Sequence, residues 1–210
     1  PVDNSLLGDV VHISAAQVDS DSSLEVIGDF ANKLPTDVKS NIVWQCLDLF
    51  NQKLGEKGFD VKPVSLVLDK KMPVGSGLGS SACSVVAALL ALNEFYQQAF
   101  SPAQLLEMMG AMEAKISGSL HYDNVAPCYL GGLQLMVPDQ SVISQSLPTF
   151  DDCYFVMAYP GIEVSTKMAR EVLPGNYDRS TLIAFGQNLA SFVSASYRQD
   201  KKQAFDVLQD

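Results

Sequence analysis

The chain is 210 residues long, 47% apolar and carries a net charge of −10. That length allows one large domain, or one domain and part of another, with enough apolar residues for a real core. The acidic balance excludes a nucleic-acid surface and a polybasic membrane contact. It leaves room for a nucleotide, because a glycine loop, a few lysines and a metal bind anions locally.

In chain order, residues 6–17 read as a strand through Leu7, Val10, Val11, Ile13 and Ala15, and residues 23–31 as a second strand. Residues 33–40 form a polar link with Pro35. Ser40 or Asn41 can then cap a helix running to Leu54, whose apolar set fits a period near 3.6, with Gly55 and Gly58 stopping it. Residues 61–71 alternate through Val64, Leu66 and Leu68 and predict a strand. A helix over 80–98 is apolar nearly all round and should be central. Another starts at Ser101 with Pro102 in its first position and Lys115 near its end. Residues 117–119 break the pattern. Residues 121–130 predict a short helix or ordered loop interrupted by Pro127 and closed by Gly131 and Gly132. Residues 133–137 and 142–147 read as a hairpin, and Pro148 marks a boundary between units 1–147 and 148–210. A strand over 154–158 and helices over 165–173, 180–198 and 201–209 follow. Trp44, Met108, Met109 and Met112 read as core. Strands come early and do not alternate strictly with helices, which favours an α+β fold over a doubly wound parallel sheet.

The four cysteines, Cys46, Cys83, Cys128 and Cys153, are far apart in sequence and lack metal-ligand spacing. They read as reduced, buried thiols of a cytoplasmic protein. The longest apolar run, around residues 85–92, is too short to span a bilayer, and no signal peptide is visible. The chain begins at Pro1 without Met and stops at Asp210 inside a helical pattern, so it reads as a piece of a longer protein.

The strongest chemical signal is Pro73-Val74-Gly75-Ser76-Gly77-Leu78-Gly79-Ser80-Ser81-Ala82-Cys83. Glycine at alternate positions frees the backbone and permits close approach of another group. A loop ending at a helix start aims several N–H groups one way, and the helix dipole adds partial positive charge there. Ser80 and Ser81 add hydroxyls that can cap the first turn. The combination suits a polyphosphate; the ordinary alternative is a strand–helix turn that uses glycine only for its shape. The loop is not a Walker A sequence, since Ser80 stands where that motif has Lys, and it lacks the third glycine of a dinucleotide fingerprint.

Those residues resemble the Pro-x-Gly-x-Gly-Leu-Gly-Ser-Ser-Ala motif of the GHMP kinases. A second segment, Ser117-Gly118-Ser119-Leu120-His121-Tyr122-Asp123-Asn124-Val125-Ala126-Pro127 with Gly131-Gly132, is similar to the homoserine kinase branch of that family. So is Pro160-Gly161-Ile162-Glu163-Val164-Ser165-Thr166 with Arg170 and Pro174. The resemblance implies a ribosomal-protein-S5 domain 2-like N-terminal domain over 1–147 and a partial ferredoxin-like domain over 148–210. Two family segments have no counterpart here: an N-terminal Pro-x-Ser-x-x-Asn…Gly-Phe-Asp and a C-terminal Gly-Ser-Gly-Pro.

The activity implied is ATP-dependent phosphorylation of the L-homoserine hydroxyl, a step of threonine biosynthesis, with Mg²⁺ as cofactor. A mevalonate-type kinase, or a nucleotide-binding or structural module without turnover, remains an alternative. Residues 73–83 are expected to hold ATP, with Asn41 and Lys71 near adenine or ribose, and Ser81 and Glu113 as Mg²⁺ ligands. Glu113 could equally be a solvated helix carboxylate. His121 and Asn124 are expected to face the amino acid. Either Asp123 or Asn124 falls where the family places its catalytic Asp: the first could act as a general base, the second would leave positioning and charge stabilisation. Thr166 and Arg170 lie four apart, so one helix face can present both. Thr166 is a catalytic candidate, and Arg170 suits the substrate carboxylate. The family's usual partner is a second copy of the chain.

Overall fold

Three strands, β1 (Val10–Ala15), β2 (Ser23–Ile27) and β3 (Val64–Asp69), form a sheet in the order β1-β3-β2. β3 runs antiparallel to β1 and parallel to β2. The computed structural model describes residues 8–137, 142–154, 156–158, 161–162, 169 and 172–208. Alternation decides which face is covered. Val64, Leu66 and Leu68 of β3 are buried, and the register sets Leu66 between Ile13 and Leu24 and Leu68 between Val11 and Val26. Cross-strand rows of this kind give a sheet one apolar face.

That face receives α1 (Ile42–Glu56) and α2 (Ser80–Phe95). α1 links β2 to β3 and buries Val43, Cys46, Leu47, Phe50 and Leu54 along one stripe. Asn41 caps it, its Oδ1 accepting from Val43 N at 2.9 Å. Gly55 does not stop this helix. It lies inside the last turn, and the chain turns away at Gly58, where φ is +78°. α2 is central as expected, packed against α1, β1, α3 (Pro102–Ser117) and α4 (Val125–Leu130). It ends three residues earlier than the pattern predicts. Buried Asn93 explains the stop: its Nδ2 donates to Gln98 Oε1 and Phe100 O, and its Oδ1 accepts from Phe100 N at 2.9 Å. Those bonds satisfy a turn instead of another helical residue.

α3 opens with a capping box between Ser101 and Gln104 and closes at Gly118, where φ is +83°. Met108, Met109 and Met112 are core, with Trp44 packed at its edge. Pro127 does not interrupt α4. It lies in the first turn, where no helical N–H is needed. β4 (Leu133–Met136) and β5 (Ser144–Leu147) form the expected antiparallel hairpin. Residues 154 and 156–158 are in no strand, contrary to expectation, and Tyr154, Val156 and Met157 stand exposed. The helix expected over 165–173 falls largely outside the described residues. α5 (Arg179–Arg198) and α6 (Lys201–Asp206) pack together at the end of the chain.

Candidate active site

The loop at residues 73–79 connects the end of β3 to α2, and the sequence bends it at its glycines. Gly75, Gly77 and Gly79 have φ of +68°, +74° and +71°. A side chain at any of them would strain the backbone. Gly79 itself is the N-cap of α2 and offers no side-chain cap. Ser80 and Ser81 therefore do not cap the helix. Ser80 lies inside it, and its hydroxyl donates back across the loop to Met72 O at 3.2 Å.

Among the described residues, the amides of Val74, Gly75, Ser76, Gly77 and Gly79 donate to no protein atom. Leu78 N meets Ser76 Oγ at 3.4 Å, and that hydroxyl donates to Pro73 O at 2.8 Å. The loop is half-buried except for exposed Gly77. Unpaired amides on a shaped turn at the N-terminus of a 16-residue helix make an anion seat. Ala82 faces the core, and Cys83 is half-buried in the first turn.

The structure brings Asn124 to the same place. A β-carbon on Gly79 would lie 3.8 Å from Asn124 Oδ1. Asn124 begins α4, which packs on both α2 and α3. The Cys83 sulfur also meets α4, accepting a hydrogen bond from the Cys128 thiol. Cys128 is exposed and Cys83 and Cys153 are half-buried, so all three differ from the buried thiols the sequence predicts, and Cys46 alone of the four is buried. His121 Nδ1 lies 2.6 Å from Asp123 Oδ1, with the imidazole mostly covered and the carboxylate 60% exposed. Tyr122 spreads over Gly110 of α3, where an added β-carbon would lie 2.1 Å from its ring. Burial, with Glu107 beside it, raises the Tyr122 hydroxyl above its ordinary value.

Glu113 is on α3, 4% exposed. That excludes the solvated-carboxylate alternative. Lys71 keeps one side open and sets its Nζ 3.5 Å from Asp69 Oδ2. Asn41 is buried and occupied at its oxygen as the α1 cap, while its Nδ2 has no hydrogen-bond partner among the described residues. Thr166 and Arg170 lie outside the described residues. A groove of about 410 Å³ lined by Leu49, Lys53, Lys57, Phe100 and Gln104 contains none of the predicted site residues. Lys57 reaches across it to Ala99 O and Gln104 Oε1, over the Phe100 ring.

Sequence reasoning missed Asp9 and Lys70. Both are buried, at 8% and 1% exposure, and they meet at 2.5 Å beneath the loop. Lys70 was legible. It extends the inward parity of Val64, Leu66 and Leu68, whereas Lys71 has the outward parity. Asp9, just ahead of β1, carries no local signal.

The chosen residues suit a nucleotide and its divalent ion. The unpaired amides match phosphate oxygens. Among the described residues no group of three or more His, Cys, Asp or Glu could hold a metal. Glu113 and the Ser81 hydroxyl are hard oxygen donors, as few as Mg²⁺ needs when phosphates supply the rest.

Residues 41–132 match the family model described as GHMP kinases N terminal domain. The structure superposes on a homoserine kinase from Cytophaga hutchinsonii with a TM-score of 0.77 and 30% identity, over 95% of this chain and 61% of that one. A Streptococcus pneumoniae phosphomevalonate kinase in complex with phosphomevalonate and AMPPNP is similar at a TM-score of 0.68 and 17% identity, over 94% and 67%. A putative homoserine kinase from Listeria monocytogenes gives 0.56 and 21%, over 94% and 62%. The last two likenesses are of fold alone. This chain spans about three fifths of the length of the Cytophaga hutchinsonii protein. Its loop, its α+β architecture and the matched segment make residues 41–132 a GHMP kinase N-terminal domain.

Proposed function

We propose that the protein transfers the γ-phosphoryl group of ATP to the hydroxyl of L-homoserine, in the cytoplasm, as a step of amino-acid biosynthesis. The observation that carries this reading is the set of unpaired amides of Val74, Gly75, Ser76, Gly77 and Gly79, with Asn124 against the same turn. The similarity to a homoserine kinase at 30% identity supports the acceptor.

Residues 73–83 hold the triphosphate through main-chain N–H groups, and Ser81 and Glu113 hold Mg²⁺, which neutralises phosphate charge. Asn41, through its unpaired Nδ2, and Lys71 take the base or ribose. His121 and Asn124 orient the amino acid, with Arg170 on its carboxylate and Thr166 at the reacting end. The acceptor oxygen attacks the γ-phosphorus, the bond to the ADP oxygen breaks, and the hydroxyl proton passes to Asp123. His121 holds that carboxylate in place. The unit over 1–147 carries the nucleotide and the unit over 148–210 contributes to the acceptor side. A second copy of the chain is the proposed partner.

Coupled ADP-release assays with homoserine and with mevalonate test the acceptor; turnover only with mevalonate overturns it. Asp123→Asn should lower kcat by about a hundredfold or more if that carboxylate takes the proton. A loss below about tenfold would transfer the role to positioning alone. The fold shared with a phosphomevalonate kinase supports the mevalonate-type alternative.

A further inference from the structure

Asp9 and Lys70 belong to none of the roles above, yet they form the most connected buried cluster near the loop. Asp9 Oδ1 accepts from Lys71 N at 3.0 Å and Met72 N at 2.9 Å, the last two amides before Pro73. Asp9 Oδ2 accepts from Lys70 Nζ at 2.5 Å and from the Ser84 hydroxyl at 2.6 Å. Lys70 Nζ also donates to Ser80 O and to Ser84 Oγ, both at 3.0 Å and both in α2. One carboxylate thus binds the entry of the loop directly and its exit through an ammonium and a hydroxyl.

We propose that Asp9 and Lys70 are a positioning pair that fixes both ends of the residue 73–79 loop, and so sets nucleotide affinity without touching nucleotide. The affinity part rests on the kinase reading given above. Glycine-rich segments have the most backbone freedom to lose, and a binding loop already held in its bound shape avoids that cost on association. The loop has three left-handed glycines and unpaired amides, so its own hydrogen bonds do little to hold it. Lys70 does not supply charge to the ligand, because Asp9 neutralises it and both are buried. Buried ion pairs contribute little net stability compared with apolar residues of the same volume. What this one contributes is the arrangement of the loop.

The test is the double variant Asp9→Asn/Lys70→Met in the full chain, which keeps the charge balanced. Amide order parameters at Gly75, Gly77 and Gly79 should fall from about 0.85 towards 0.6, while those of β3 and α1 stay rigid. The affinity for an ATP analogue should weaken about tenfold, with KM for ATP rising and KM for the acceptor alcohol unchanged. A variant that only melts earlier, with loop order and nucleotide affinity as in the parent, overturns the proposal. Should the double variant not fold, Ser84→Ala removes the hydroxyl link and is judged by the same readouts. A parent chain that does not bind the analogue ends the kinase reading; the order parameters then still decide whether the pair holds the loop.

Discussion

Cys83 shows how far one residue's chemistry departs from what its neighbours in sequence suggest. The Cys128 thiol donates to its sulfur, and Asp9 N donates to it at 3.2 Å. These contacts bring the Cys83 thiol down to about 7. The same bond, with burial, pushes the Cys128 thiol up, and burial pushes Cys46 up. A lowered thiol is ionised at lower pH, and the thiolate is the nucleophile. Iodoacetamide should therefore label Cys83 first, with a rate rising through about pH 7, while Cys46 stays unlabelled in the folded chain. Peptide mass spectrometry across pH 6–9 checks this; equal labelling of Cys46 and Cys83 contradicts it. The glycine turn ahead of α2 was legible because its spacing is local. Asp9 and the Cys83–Cys128 contact were not, because they join positions 61 and 45 residues distant from Lys70 and Cys83 in the chain.

Elements were legible where a single period held. The α1 stripe, the β3 alternation and the Ser101–Gln104 cap all lie within a few residues of sequence. Their ends were harder, because buried side chains such as Asn93 redirect them. The contact of α3 with the 121–124 segment depends on Gly110, which helix propensity alone would rate as a poor choice. Gly→Ala in a helix interior gains about 1 kcal/mol from propensity. Here the new carbon would overlap the Tyr122 ring, and such overpacking costs about 1–3 kcal/mol. Gly110→Ala should therefore destabilise the protein and displace Tyr122, with recovery on adding Tyr122→Ala. Denaturant midpoints of the single and double variants measure it; a more stable Gly110→Ala refutes the contact.

Across the whole molecule, burial is uneven. Beyond Leu147 the buried apolar residues among those described are only Ala195 and Ala204. Leu182, Ile183, Phe185 and Leu189 of α5 are exposed by 58%, 53%, 68% and 44%. Apolar surface of that extent favours association. Leu182→Gln with Phe185→Gln should lower light scattering at high concentration and leave the melting of the β1–β3 sheet and its helices unchanged; unchanged scattering would refute it. The sequence did not mark this exposure, because an amphipathic pattern states which face is apolar and not what covers it.

The strand order has a further consequence for synthesis. β3 lies between β1 and β2 although it is made after both. A nascent chain that has released the first two strands thus has neither seam to zip. Non-local pairing of this kind delays folding until the missing middle arrives. The sheet can close only once Asp69 has cleared the ribosomal tunnel, and the glycine-rich loop is the next segment to emerge.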